Sequence, residues 1–120
     1  MQIEFELSDD IIAAILTGEL DHHSTLCVRT DIDHAMEVYR AKHLVLDFSG
    51  VGFADSSGIG MIMGRYNKVK EKSGRIVLCG CSPYMKKILE MAGIFTIIPE
   101  ANDRASAMQL LKERGEEDER

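Results

Sequence analysis

The stretch LVLDFSGVGFADSSGIGMIMGRY, residues 44–66, predicts a central strand, then a loop and then a helix. Its first part forms, with His43, a short apolar run that ends at Ser49, as is typical of a strand buried on both faces. Glycine and polar residues then predict the loop SGVGFADSSG. From about Ser56 onward apolar residues recur at helical spacing, which predicts an amphipathic helix. These apolar residues are Ile59, Ile62, Met63, Tyr66 and Val69. We expect the basic residues of this helix to face water, namely Arg65, Lys68, Lys70 and Lys72.

The residues before this stretch predict a hairpin and a first helix. Residues 2–7 alternate between polar and apolar, as in an edge strand, and residues 11–16 are apolar throughout, as in a strand covered on both faces. Asp21 suits the N-cap of the helix that follows. The apolar face of that helix is predicted to comprise Val28, Ile32, Ala35, Met36 and Tyr39.

The residues after it predict one more buried strand, two more helices and a short strand. Residues 75–81 form the buried strand, on which Cys79 and Cys81 are expected to point alike. The remaining elements are a third helix that begins at Ser82 and Pro83 and carries Ala92 inward, a brief strand at residues 96–98, and a last helix at residues 102–114 with Ala105, Met108 and Leu111 inward.

Helices between successive strands favour parallel crossovers, whereas the first two strands form an antiparallel hairpin. The predicted fold class is therefore α/β, with a mixed, mostly parallel sheet of about four to five strands, about four helices and an N-terminal β-hairpin. The pattern predicts one domain over residues 1–114. Residues 115–120 (GEEDER) hold four acids, one base and no apolar residue, which predicts a disordered acidic tail.

Composition excludes several classes of protein. The chain has 14 basic and 20 acidic residues and a formal charge of -6, the wrong sign for neutralising nucleic-acid phosphates. It lacks a run of apolar residues long enough to span a bilayer, so we expect a cytoplasmic protein without membrane insertion. Three cysteines without a CxxC spacing indicate reduced thiols rather than a disulfide framework or a zinc site.

The sequence lacks the residue spacing that most catalytic motifs require. GxGxxG at a strand-to-helix turn and GxxxxGK are both missing, so the sequence shows no nucleotide-binding loop. Ser56 and Ser57 do not lie in GxSxG, although a histidine could still meet either serine in space and support a small hydrolase. The adjacent His22 and His23 do not share one helix face, which disfavours a metal site.

The segment Asp55, Ser56 and Ser57 allows two interpretations. It follows a central strand and opens a helix, so any one of these side chains could cap the first turn. Three polar residues before the glycines also describe an exposed hydroxyl that a kinase could reach. The residue pattern alone leaves both interpretations open.

The sequence resembles the anti-sigma factor antagonists of the STAS family nearly end to end. The resemblance rests on LTGELDHH at residues 16–23, on residues 44–66, and on the region at residues 79–99 that contains CSPYMKKILEMAGIFTIIP. DSSGxG is typical of the family in general, whereas ELDHH together with GRY is similar to the antagonists that act in sporulation. The resemblance implies that Ser56 is the phosphoacceptor and that Asp21 contacts the partner.

It further implies a non-enzymatic switch without cofactor or metal. The unphosphorylated form would bind an anti-sigma F factor that is also a serine kinase, and so release sigma F for forespore transcription. Phosphorylation of Ser56 would end binding, and a sporulation phosphatase would restore it. The implied binding surface comprises Asp21, Asp55, Ser56, Ser57 and Gly58, on a monomer. The alternatives are an antagonist of a stress-response anti-sigma factor, a small serine hydrolase and a nucleotide-binding STAS domain.

Overall fold

The computed structural model describes the backbone of residues 1–118 and the side chains of residues 1–113. Helices and strands alternate through most of this part of the chain. In chain order they are β1 (Gln2–Ser8), β2 (Ile11–Leu20), α1 (Ser24–Val38), β3 (His43–Ala54), α2 (Ser56–Glu71), β4 (Ile76–Cys79), α3 (Pro83–Met91), a 3₁₀-helix (Ile94–Thr96), β5 (Glu100–Ala101) and α4 (Arg104–Asp118).

The five strands form one sheet in the order β1-β2-β3-β4-β5. β1 and β2 are an antiparallel hairpin, while β2, β3, β4 and β5 are parallel to their neighbours. The predicted mixed α/β sheet, its N-terminal hairpin and its four helices are therefore confirmed.

The sheet buries a core on each face, because successive strand residues point to opposite sides. The larger core joins the sheet to α1, α2 and α3 through side chains such as Leu46, Ile62 and Leu89. The smaller core packs Val45 and Val77 against α4. The helices that precede and follow the DSSG segment thus lie on one face, and α4 lies on the other.

β3 is longer than predicted, because most of the predicted loop SGVGFADSSG is strand. The pairing of β2 with β3 shifts register twice, and each shift places one extra residue on β3. Gly50 lies at the first shift, where a Cβ would stand 2.8 Å from the Leu16 carbonyl oxygen. The bulges break the alternation of polar and apolar residues, which is why the segment resembles a loop in sequence.

Arg65 is buried, contrary to the expectation that it faces water. Only 4% of its surface is exposed, and its Nε lies 3.0 Å from Oδ1 of Asp33 on α1. Arg65 stands at helical spacing among the buried residues of α2, so the buried face of this helix includes a charged position. Tyr39 is also misplaced by the prediction, since it lies just after α1 and is exposed.

The C-terminal third differs from the prediction in its details. β4 ends at Cys79, and Gly80 then turns the chain with φ of +71°, so Cys79 and Cys81 pack in different cores and do not point alike. The strand predicted at residues 96–98 is wrong: the 3₁₀-helix occupies its start, and the short β5 follows it. The prediction is also wrong for Ala92 and Ala105, which are exposed.

The last helix begins at Arg104 and extends to Asp118, four residues past its predicted end. The tail predicted at residues 115–120 lies outside the residues whose side chains are described, and its assignment stays a prediction. Within the described residues, no helix is long and apolar enough to cross a membrane.

Candidate functional site

The candidate site lies where β2 and β3 end side by side. Leu20 pairs with Ala54 at the last position of these parallel strands, and the Asp55 N–H donates to the Leu20 carbonyl oxygen at 3.0 Å. The next residue of each strand is an aspartate, so Asp21 and Asp55 occupy neighbouring positions at one edge of the sheet. Parallel α/β sheets carry their functional loops at this edge.

Asp55 is the N-cap of α2. Its backbone is extended, and its Oδ1 accepts hydrogen bonds from the N–H groups of Ser57 at 2.8 Å and Gly58 at 3.4 Å. Ser56 is exposed, and its hydroxyl makes no hydrogen bond to any residue that the structure describes. Asp55 therefore caps the helix, and the Ser56 hydroxyl is left exposed. The capping interpretation of this segment applies to Asp55, whereas the interpretation as an exposed hydroxyl applies to Ser56.

Asp21 holds the turn between β2 and α1. Its Oδ1 accepts from the N–H groups of His23 at 3.0 Å and Ser24 at 2.9 Å. The bond from Ser24 is the main cause that lowers the pKa of Asp21 below its ordinary value. The helix N-cap is His23 rather than Asp21, so the predicted cap position is wrong although the carboxylate does accept the first helical N–H.

Gly58 allows the first turn of α2 to lie close against the strand ends. It is buried, and a Cβ there would stand 3.1 Å from the Leu20 Cβ and 3.2 Å from the Ala54 Cβ. The glycine of DSSG thus sets how near Ser56 and Ser57 lie to the end of β2.

Two aromatic side chains beside the site were not singled out from the sequence. Phe53 and Tyr84 stack with ring centroids 6.5 Å apart and an interplanar angle of 20°, and both are exposed. Phe53 is two residues before Asp55. The pairing depends on α3 packing beside the end of β3, which no local sequence pattern reveals.

The described residues contain no serine–histidine pair of the kind a hydrolase uses. His43 begins β3, at the opposite end of this strand from Ser56. Its Nδ1 accepts from the Arg75 N–H at 3.0 Å, and burial lowers its pKa. His22 is nearer, but neither Ser56 nor Ser57 shares a hydrogen bond with it within the described structure.

The buried cysteines are poor nucleophiles at neutral pH. Burial is the main cause that raises the pKa of Cys79 and of Cys81 to about 12, and nearby carboxylates act in the same direction. Both thiols therefore stay protonated. The edge of the sheet therefore offers the exposed hydroxyl of Ser56 next to the capping carboxylate of Asp55, with Asp21 at the end of the neighbouring strand.

Replacing Asp55 by alanine should lower the free energy of unfolding by about 1 kcal/mol, because α2 loses its N-cap acceptor. Asp55→Asn keeps an acceptor oxygen and should retain most of that stability. Urea denaturation followed by circular dichroism measures both. Equal losses in the two variants would show that the carboxylate charge, rather than the cap, is what stabilises the domain.

A family model for the STAS domain matches residues 2–107 of the chain. The chain is 36% identical over 112 residues to an anti-sigma F factor antagonist of Paenibacillus polymyxa, covering 93% of this chain and 96% of the relative. It is 29% identical over 108 residues to an anti-sigma-B factor antagonist of Listeria monocytogenes, covering 85% and 91%.

The fold matches that of the anti-sigma factor antagonist SpoIIAA in two forms. The unphosphorylated form aligns with a TM-score of 0.72 and 25% identity, over 95% of this chain and 99% of that one. The phosphorylated form, described as a Bacillus cell fate determinant, aligns with a TM-score of 0.71 and 26% identity, over 91% and 99%. The chain therefore belongs to the STAS domain family and is one of its anti-sigma factor antagonists, a regulatory class of proteins.

Proposed function

We propose that the chain is an antagonist of the anti-sigma F factor and is switched off by phosphorylation of Ser56. The observation that carries the proposal is the state of the Ser56 hydroxyl, which is exposed and free of hydrogen bonds to described residues while Asp55 caps the helix. A kinase can reach such a hydroxyl without unfolding α2. The identity to a sigma F antagonist, higher than to a sigma B antagonist, favours sporulation over stress response.

The proposed partner is an anti-sigma factor with serine kinase activity, which binds the unphosphorylated form and so releases its sigma factor. The proposed binding surface comprises Asp21, Asp55, Ser56, Ser57 and Gly58. These residues share one edge of the sheet, so a single partner can cover them together. The protein would act as a monomer in the cytoplasm, where a phosphatase restores the unphosphorylated form.

The test is incubation with an active anti-sigma F kinase and ATP, followed by fragment mass analysis, with an anti-sigma B kinase in parallel. A single phosphate on Ser56, added faster by the anti-sigma F kinase, is the expected result. Faster modification by the anti-sigma B kinase would reassign the chain to stress response. No phosphate from either active kinase would refute the switch.

Asp21→Asn should weaken binding to the anti-sigma factor while leaving the melting temperature unchanged. The amide oxygen can still accept from His23 and Ser24, but the charge offered to the partner is lost. Asp31→Asn, an exposed change on α1 with the same loss of charge, is the control. If calorimetry shows that Asp21→Asn binds with wild-type affinity, the charge of Asp21 does not contribute to partner binding, and its role is to stabilise the turn before α1.

A further inference from the structure

An open groove lies between α1 and α2 and begins beside the candidate site. It has a volume of about 380 Å³ and extends from Ser57 along α2 to Arg65. Gly60 and Gly64 lie one turn apart on its α2 side, and no heavy atom stands within 4 Å of where a Cβ would be at either position. The α1 side carries Arg29. We call this space the α1–α2 groove.

The groove holds a buried guanidinium whose hydrogen bonds are incomplete. Arg65 is 4% exposed, and its Nη1 is buried without a hydrogen-bond partner among the described residues. Its ion-pair partner Asp33 is shared, because Lys68 Nζ also lies 3.2 Å from Asp33 Oδ2. Most buried donors have an acceptor, so an anion bound in the groove that Arg65 lines would add a partner for a guanidinium with incomplete hydrogen bonds.

Arg29 adds a charge that no carboxylate of the described residues pairs with, and it is exposed. Burial is the main cause that lowers the pKa of Arg65, and the nearby charge of Arg29 acts in the same direction. Arg29 and Arg65 both line the groove, whereas none of the described residues that line it is acidic. This local excess of positive charge occurs in a chain whose formal charge is -6.

We propose that the α1–α2 groove receives a carboxylate side chain of the anti-sigma factor, an inference that rests on the proposed function. A partner covering about 800 Å² centred on Ser56 reaches about 16 Å in each direction. Arg65 is nine residues further along α2, or about 14 Å. The same partner therefore covers the groove.

The charge of the groove decides which group the partner presents there. Cations that lose their water without gaining an anion oppose association. A carboxylate seated in the groove would lie beside the exposed Arg29 and next to Arg65, which also lines the groove, and the glycines leave room for its stem. An acidic residue of the partner is thus the complement that this surface selects.

The test measures affinity for the anti-sigma factor at several salt concentrations for wild type, Arg29→Glu and Lys112→Glu. Lys112 is exposed on α4, on the opposite face of the sheet, so Lys112→Glu changes the net charge equally. Arg29→Glu should weaken binding by about tenfold or more and flatten its salt dependence, because it places a carboxylate where the partner's own must sit. Lys112→Glu should bind like wild type.

Equal affinities of Arg29→Glu and Lys112→Glu, with wild type binding normally, would overturn the groove proposal and leave the proposed function intact. A folded wild-type chain that binds no anti-sigma factor would instead refute the proposed function, and the groove proposal with it. Melting temperatures of the three proteins verify that each is folded.

Discussion

Phosphorylation of Ser56 is expected to lower the affinity for the anti-sigma factor by about a thousandfold, or about 4 kcal/mol. The phosphate would add about -1.5 to -2 charges beside Asp55, at the proposed binding surface, which would lose its water when the partner binds. Because the Ser56 hydroxyl is exposed, the new charge would lie in the proposed interface rather than in the core. Isothermal titration calorimetry with the phosphorylated and unphosphorylated chains measures the difference.

Two variants at Ser56 and one control variant elsewhere test whether charge or shape at this residue determines the affinity for the anti-sigma factor. Ser56→Ala should bind as wild type does, because it keeps the surface uncharged, and Ser56→Asp should bind with intermediate affinity, since it carries about half the charge. Ser73→Asp puts the same side chain at an exposed position past the other end of α2 and should not change the affinity. Tight, equal binding by Ser56→Asp and the phosphorylated chain would refute the electrostatic explanation.

The domain should stay folded when Ser56 carries a phosphate. The group would sit at the N-terminus of α2, where the helix dipole favours an anion by about 0.3–1 kcal/mol. We therefore attribute the proposed switch to the interface rather than to a change of fold.

The sheet and its helices could be predicted because their signals are local. The apolar run at residues 43–48 and the apolar stripe of α2 each follow one period, and Ser82 caps α3 through the Met85 N–H as its sequence indicates. The bulges in β3 could not be predicted. They depend on how its register adjusts to β2, and they remove the alternation by which a strand is recognised.

The site was predictable to the extent that it follows from strand order. Asp21 and Asp55 end neighbouring parallel strands, so their proximity follows once β2 and β3 are paired. The α1–α2 groove was not predicted, although Arg65 stands at helical spacing among the buried residues of α2, next to Met61, Ile62 and Val69. The charge of Arg65 led to the expectation that it faces water, and its ion pair with Asp33 on α1 depends on helix packing that the sequence of α2 does not reveal.

Gly74→Ala is expected to lower the free energy of unfolding by about 2–4 kcal/mol and the melting temperature by about 10 °C. α2 ends in a turn in which Ser73 has φ of +61° and the Gly74 N–H donates to the Val69 carbonyl oxygen at 2.8 Å. A Cβ on Gly74 would stand 1.9 Å from the Lys42 carbonyl oxygen. That atom belongs to the backbone leading into β3, so no rotamer change relieves the contact.

Gly64→Ala is the matched control, because the same methyl group would stand in open space within α2. It should raise the free energy of unfolding by about 0.5–1 kcal/mol, since alanine favours the helix more than glycine does. Thermal and urea denaturation of both variants measure the two changes. If Gly74→Ala were as stable as wild type, the turn after α2 must be able to move away from the Lys42 carbonyl oxygen without disturbing β3. The close contact between Gly74 and Lys42 would then not be important for stability. The opposite signs expected for the two glycines distinguish contact with the backbone from helix propensity.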